Sequence, residues 1–347
     1  MRASLKSLLV RKPRLRDVAA EAGVGIATVE RVVNARGNVS GDTMQRVLIA
    51  ARKLGYDRAF PAPHHAMVRI EVILVRPDAE FFSRLNTEFL KLQQKVDPLV
   101  IVHRSFVDES SPESMARRIR EIGVSRAGLI VVGQDHPAIV EAVYWLQANG
   151  IPVVLLVSKL SEAPDVPYIG IDNLSAGRTA GFFMKAMLGG KSGKVIALCH
   201  SGAYGNHRQR MEGFSQYFSG TCEKLLFSSC MLGGDADDLT EAALMQALSQ
   251  AEDIIGLYNV GGAHKGVERA LKRCKRLGRV AYIGHELSPE SRKLLQAGGM
   301  VLAIDQMPEL QARRAVELLE SLIGLHHTEP DYSPVPFRIV TKENFVV

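Results

Sequence analysis

Residues 14–56 read RLRDVAAEAGVGIATVERVVNARGNVSGDTMQRVLIAARKLGY, and three short helices can be drawn on them. Leu15, Val18 and Ala19 recur at helical spacing until Ala22-Gly23-Val24 breaks the run, and Gly23 supplies a turn that a side chain would disfavour. Val29, Val32 and Val33 form the inward stripe of a second helix, which ends in the stretch from Asn34 to Asn38. Ser40 suits the N-cap of a third, with Val47, Ala50, Ala51 and Leu54 facing inward before Gly55. Two helices joined by a glycine turn and propped by a third is the helix-turn-helix plan. Its second helix turns Ile26, Ala27, Thr28, Glu30 and Arg31 outward. Arg31 suits bidentate bonds to guanine, Glu30 could accept from cytosine, and Ile26 and Ala27 suit thymine methyls. Arg16, Thr28, Asn34 and Ser40 are placed for phosphates. A three-helix protein-interaction module would share the pattern.

Charge separates those readings. Residues 1–60 carry twelve Lys/Arg against five Asp/Glu, a net +7, although the whole chain of 347 residues is only +6. The positive charge sits on the three-helix segment, where a polyanion would bind, and the remainder is near neutral. A hydrophobic content of 46% is enough for a large core, so the chain reads as a small domain plus a larger one. Cys199, Cys222, Cys230 and Cys274 have no metal-ligand spacing and read as reduced thiols. The basic arm MRASLKSLLVRKPR is too polar for a signal peptide, and no apolar run is long enough to span a membrane. A cytoplasmic protein without metal or cofactor is expected.

After Tyr56 the stretch DRAFPAPHHAMVR, broken by Pro61 and Pro63, reads as a linker over residues 59–68. From residue 69 onward, apolar strand runs such as Ile70–Val75, Gly128–Val132, Val195–Cys199 and Ile254–Tyr258 alternate with amphipathic helices. That alternation predicts an α/β body with parallel sheets covered on both faces, and there are enough units for two lobes.

Residues 14–56 resemble the DNA-binding headpiece of the lactose-repressor (LacI/GalR) family. The resemblance is carried by Asp17-Val18-Ala19, Ala22-Gly23-Val24, Thr28-Val29, Arg31-Val32-Val33-Asn34, Val39-Ser40, Thr43 and Leu54-Gly55-Tyr56. It implies that Ile26 and Ala27 discriminate operators and that Arg31 reads a base. Glu30 replaces the family's usual serine, and Gly25 its usual polar cap. The family's hinge helix, which pushes a leucine into the minor groove, has a shorter, proline-broken counterpart here with His65 near the leucine position.

Residues 69–347 resemble the periplasmic-binding-protein-like effector domain of the same family and its ribose-binding relatives. The marks are Gly170-Ile171-Asp172-Asn173 with Ala176-Gly177, Arg208 and Arg210 before Glu212-Gly213-Phe214, Tyr258-Asn259, Ile283-Gly284-His285-Glu286 and Ile304-Asp305-Gln306. The resemblance implies three crossings between lobes, near Pro167, Gln306 and Leu325. One lobe then takes residues 69–166 and 307–324, the other 167–306 and 325–347. Ligands of such lobes bind beyond the carboxyl ends of the strands. The candidate effector-binding residues are therefore Phe81, Phe82, Asp172, Arg208, Arg210, Asn259, Glu286 and Gln306. For Phe81 and Phe82 the alternative is that one of them is simply core; one of Arg208 and Arg210 is expected to be a surface charge, and Asp172 to order a turn. Glu286 stands for the family's aspartate, and Val157-Ser158 for the ribose binders' Asp-Arg pair.

The implied protein is a transcriptional regulator, a homodimeric repressor on a pseudo-palindromic operator in duplex DNA, controlled by a sugar or polyol. A solute-binding protein or a sugar-modifying enzyme on the same two-lobe fold is the alternative. No phosphate-loop spacing, HExxH motif or serine elbow supports catalysis.

Overall fold

Strands that lie between two helical layers have no solvent face, so they read as unbroken apolar runs and not as alternation. Val153–Leu156 shows this, four apolar residues that are all buried. The computed structural model describes residues 13–34, 39–40, 43–44, 46–47, 50–51, 54, 56, 67–96, 100–199, 202–218, 225–232, 236–325 and 330–344, with backbone only at 226 and 228–232. Residues 1–12, Gly37, Gly55, the linker prolines, His65 and Cys222 lie outside them.

The headpiece follows its sequence pattern. Helices Leu15–Ala22 and Ile26–Val33 flank Gly23, which is left-handed at φ 63°. Val18, Ala19, Ala22, Val29, Val32 and Val33 pack with Val47, Ala50 and Ala51 into a separate small core. Ser40 Oγ accepts from the Thr43 amide at 3.3 Å, the N-cap expected of it, and residues 43–44, 46–47 and 50–51 are helical.

The body holds two sheets. In chain order the strands are β1 (Val68–Leu74), β2 (Val100–Phe106), β3 (Gly128–Val131), β4 (Val153–Leu156), β5 (Tyr168–Ile169), β6 (Gly193–Cys199), β7 (Leu225–Leu232), β8 (Ile254–Asn259), β9 (Ala281–His285), β10 (Leu302–Asp305) and β11 (Arg338–Val340). The first sheet runs β2-β1-β3-β4-β5 and the second β11-β10-β9-β8-β6-β7, all parallel except β11. Helix Pro308–Leu322 follows a strand of the second sheet yet packs on Glu80–Leu92 and on β3, β4 and β5 of the first. β11 then returns to pair with β10. The chain therefore crosses between the sheets three times. Because β5 still pairs with β4, the first crossing falls past Ile169 and not at Pro167.

Three elements escape the sequence pattern. β5 has two residues, too few to show a period. β7 lies at the sheet edge and carries Ser228-Ser229 mid-run. Helix Pro289–Gln296 buries only Ser291, Leu294 and Leu295.

Helices Asn173–Leu188 and Gly205–Phe218 approach each other backbone to backbone. A Cβ on Gly213 would strike the Leu174 carbonyl oxygen, and one on Gly177 the Arg210 carbonyl oxygen. This is the physical content of the Ala176-Gly177 and Glu212-Gly213 signatures. Gly213→Ala is expected to cost about 2 kcal/mol by overpacking, read as a lower urea midpoint; an unchanged midpoint would mean the helices can separate freely.

Candidate DNA-reading face and ligand cleft

On helix Ile26–Val33 the inward valines leave Ile26, Ala27, Glu30 and Arg31 exposed on one face, with Thr28 half-buried beside them. Ile26 is 49% exposed and stands beside Ala27 on this face. Asn34 and Ser40 are exposed as well. Arg16 is exposed and lies 3.8 Å from Asp17, a weak surface pair. Gly25 occupies the N-cap in extended conformation with open space where a side chain would stand.

Between the two sheets lies a cleft of about 420 Å³, built from the segments that follow the strands. After β1 come Arg76 and Asp78–Phe82, after β4 Val157, after β6 Asn206, His207 and Arg210. After β8 come Gly261–Lys265, after β9 Glu286, Ser288 and Glu290, and after β10 Gln306. Several of these turns are backbone-strained: Arg76, Val157, Ala263, Glu286 and Met307 all adopt positive φ, between 45° and 70°. Such non-glycine conformations cost roughly 1 kcal/mol or more each and persist where surrounding structure holds them.

Arg210 is the centre of the polar wall. It is fully buried, and its guanidinium donates to Asn173 Oδ1 at 2.9 Å, to the Val260 carbonyl at 2.7 Å and to Gln306 Oε1. Gln306 Nε2 donates in turn to Glu286 Oε1, leaving Glu286 Oε2 buried without a hydrogen-bond partner. Burial pushes the Glu286 carboxyl from its ordinary 4.5 up to about 7, against the pull of Arg210. Phe81 and Phe82 both line the cleft, edge to face with centroids 5.2 Å apart, and the Arg76 guanidinium sits 5.0 Å over the Phe82 ring.

Five of the eight expected effector residues, Phe81, Phe82, Arg210, Glu286 and Gln306, thus meet in one cleft. Arg208 does not line it: it donates to Asp135 and to the Gly202 carbonyl. Asp172 caps helix Asn173–Leu188 by accepting from the Ser175 amide at 2.9 Å. Asn259 stands behind the wall, accepting from the Gly261 amide and donating to the Gly262 carbonyl at 2.6 Å, so it shapes the loop. The pattern also missed His264, whose ring nitrogens meet Tyr282 Oη and the His285 carbonyl, both at 2.7 Å. Its place two residues after Gly262 at a helix start was the available signal.

A basic helix-turn-helix joined to a two-lobed body with an internal cleft defines a ligand-responsive DNA-binding regulator. The chain belongs to the periplasmic binding protein domain family, whose model matches residues 78–325, and carries a headpiece of the lacI family of bacterial regulatory proteins, matched over residues 14–59. It is a DNA-binding transcriptional regulator. Over 94% of its length it is 23% identical to the HTH-type transcriptional regulator pepR1 of Lactobacillus delbrueckii subsp. lactis, covering 96% of that protein. Over 76% of its length it is 24% identical to the ribose import binding protein RbsB of Escherichia coli (strain K12), covering 87% of that protein. The glucose-galactose binding protein GanP of Geobacillus stearothermophilus shares the fold at a TM-score of 0.73 and 16% identity, over 81% of this chain and 99% of that one.

The Glu286 carboxyl generates a prediction. Between about pH 4.5 and 7 the folded protein holds a proton there that the unfolded chain gives up, so this group's contribution to stability falls as pH rises through that window. Glu286→Gln keeps an acceptor for Gln306 and removes the buried charge. Its melting temperature is expected to exceed the parent's at about pH 8, by an equivalent on the order of 3 kcal/mol at most, with the gain nearly gone at about pH 5. A gain independent of pH would place the effect elsewhere.

Proposed function

We propose that the chain is a homodimeric repressor in the cytoplasm, released from or driven to its operator by a small sugar-like effector held between the lobes. The division is a headpiece over residues 1–58, a linker over 59–67 and an effector domain over 68–347, with lobes of residues 68–169 with 307–324 and of 170–306 with 325–347, the bounds at 68 and 169 following β1 and β5. The observation that carries this reading is the cleft itself: a buried Arg210–Gln306–Glu286 chain facing two phenylalanines, on the same polypeptide as a DNA-reading helix. Phenylalanine rings suit the apolar face of a sugar, and the polar chain suits its hydroxyls. The 28% identity to the sucrose operon repressor of Pediococcus pentosaceus, over 60% of this chain, supports the same class of ligand. Asp172, Arg208 and Asn259 then act on the ligand only through the loops they hold.

In DNA, Arg31 is assigned a guanine, Ile26 and Ala27 apolar contacts with thymine methyls, and Glu30 a cytosine amine. Arg16, Thr28, Asn34 and Ser40 are assigned phosphates. Two-fold symmetry provides the second half-site. Effector binding shifts the lobes and thereby the spacing of the headpieces, so DNA affinity changes through the differential stability of two states.

Arg31→Ala is expected to weaken operator binding by roughly 1–3 kcal/mol and to relax preference at one base pair per half-site, measured by fluorescence anisotropy on an operator selected from random duplexes. Uniform weakening across all sequences would make Arg31 a phosphate contact. The allosteric half is tested on the same full-length protein by titrating operator with and without a sugar that binds the body. Equal affinities would overturn it.

A further inference from the structure

We infer, resting on the reading of the cleft as an effector site, that Arg84 is a positioning residue for the response to ligand. Its pairing with Asp305 sets the angle between the lobes at the hinge and carries a change at Gln306 to helix Glu80–Leu92.

The hinge itself is a ribbon of backbone. The Val335 amide donates to the Gly170 carbonyl at 2.9 Å, which joins the first and third crossings. β10 pairs with β11 through Asp305 and Arg338, which joins the second and third. Hinges of this kind bend where a few residues absorb the change in φ and ψ. Main-chain bonds keep the crossings together, and a side-chain tie from lobe to lobe is what fixes their angle.

Arg84 supplies such a tie. It lies one turn into helix Glu80–Leu92, two residues past Phe82 of the cleft lining, in the lobe of the first sheet. Its Nη1 donates to Asp305 Oδ1 at 2.6 Å and its Nη2 to Asp305 Oδ2 at 3.4 Å. Asp305 is the last residue of β10, in the second sheet, so this pair spans the lobes. The same guanidinium forks onto Glu309, Nε to Oε1 and Nη2 to Oε2, both at 3.1 Å. Glu309 lies in the first turn of helix Pro308–Leu322, which packs on the first sheet, so that pair stays inside one lobe.

One planar cation thus grips a carboxylate on each side of the second crossing. Between the two stand Gln306, Met307 and Pro308, with Met307 left-handed at φ 53° and Pro308 fixed in φ by its ring. So short and stiff a connection cannot rotate without changing the separation of Asp305 and Glu309.

Burial makes the tie strong, and its place joins it to the cleft. Asp305 is buried and the Arg84 side chain is 19% exposed, so parting them strands a buried carboxylate. Arg208, which reaches across the lobes to Asp135, is 45% exposed, and water weakens that pair. Gln306 follows Asp305 directly. Its side chain is gripped by Arg210 and Glu286 in the cleft wall, and its carbonyl accepts from Gln311 Nε2 at 2.8 Å. A ligand that displaces Gln306 therefore pulls on the residue that Arg84 holds, and through it on the helix whose first turn carries Phe81 and Phe82.

The test uses full-length variants. Asp305→Ala removes the tie and leaves Arg84 on Glu309, so no charge is stranded; Glu309→Gln is the control within one lobe. Hydrogen exchange of the ligand-free proteins, followed by mass spectrometry, reads the hinge directly. Amides of residues 302–311 are expected to exchange about tenfold faster or more in Asp305→Ala and at parent rates in Glu309→Gln, with β3 and β8 unchanged in both. Operator affinity is then measured by fluorescence anisotropy, with and without those pentoses, hexoses, disaccharides and sugar phosphates that raise the parent's melting temperature. Parent and Glu309→Gln are expected to respond to ligand. In Asp305→Ala the affinity is expected to lie between the parent's two values and to move less than about twofold with ligand, although the ligand still raises its melting temperature. Asp305→Asn, which keeps one acceptor for Arg84, is expected to fall between, and it decides the matter if Asp305→Ala does not fold. A full response in Asp305→Ala and Asp305→Asn, whatever their stability, makes the pair merely structural and overturns the inference while the effector site stands. Parent exchange rates at the hinge, or a lost response in Glu309→Gln, also overturn it. Silence from the whole panel overturns the effector reading and, with it, the transmission.

Discussion

A guanidinium with no access to water is the constraint around which the body is arranged. Arg210 is the largest fully buried side chain in the described residues, and it survives there because its hydrogen bonds reach three separate segments. Asn173 follows the first crossing between sheets, Val260 follows β8, and Gln306 lies in the second crossing. Removing one partner of such a buried charge costs roughly 3–5 kcal/mol, so these segments are held in register together. Glu286 completes the chain through Gln306, and the charge that balances Arg210 therefore stands at the cleft surface. A ligand group meeting Glu286 acts on the same hydrogen-bond chain that holds the second crossing.

Around this centre the strand ends store strain. Val157 is β-branched and still left-handed; its amide bonds the Ile169 carbonyl and its carbonyl accepts from Tyr168 Oη, which holds it there. Positive φ at Glu286 and Met307 turns the chain sharply after two adjacent strands, so that Glu286 and Gln306 face each other. The lobes are also tied by contacts outside the crossings. Asp135 accepts from Arg208 and donates its amide to the Ala203 carbonyl at 2.9 Å, while Tyr204 Oη donates to Glu109. Arg208, two residues from Arg210 and so on a different face of the same helix, thus works on the lobe interface.

The headpiece is independent of all this. Nine buried residues among those described form a core of their own, and its outward face is set by the phase of two eight-residue helices. Among its described residues the one positive φ is at Gly23, where no side chain interferes.

How much of this was legible in advance follows from the range of the forces involved. Helix phase, the Gly23 turn, the Ser40 cap and the doubly buried strands are local properties, each expressed within a few residues, and the chain alone determined them. It also determined that a basic reader precedes a near-neutral α/β body. It brought Phe81, Phe82, Arg210, Glu286 and Gln306 forward because each follows a strand or opens a helix. It could not separate Arg208 from Arg210, or Asn259 and Asp172 from true lining residues, because all four are polar groups at equivalent places in the pattern. That choice was made by partners distant in sequence: Asp135 for Arg208, Gln306 and Asn173 for Arg210, Gly262 for Asn259. β5 and helix Pro289–Gln296 were likewise decided by packing, since two residues of strand and three buried positions of helix carry too little periodicity to show. Only the tertiary structure brings those side chains within hydrogen-bonding distance, and so only it decides which charges are satisfied in the wall and which face the cleft.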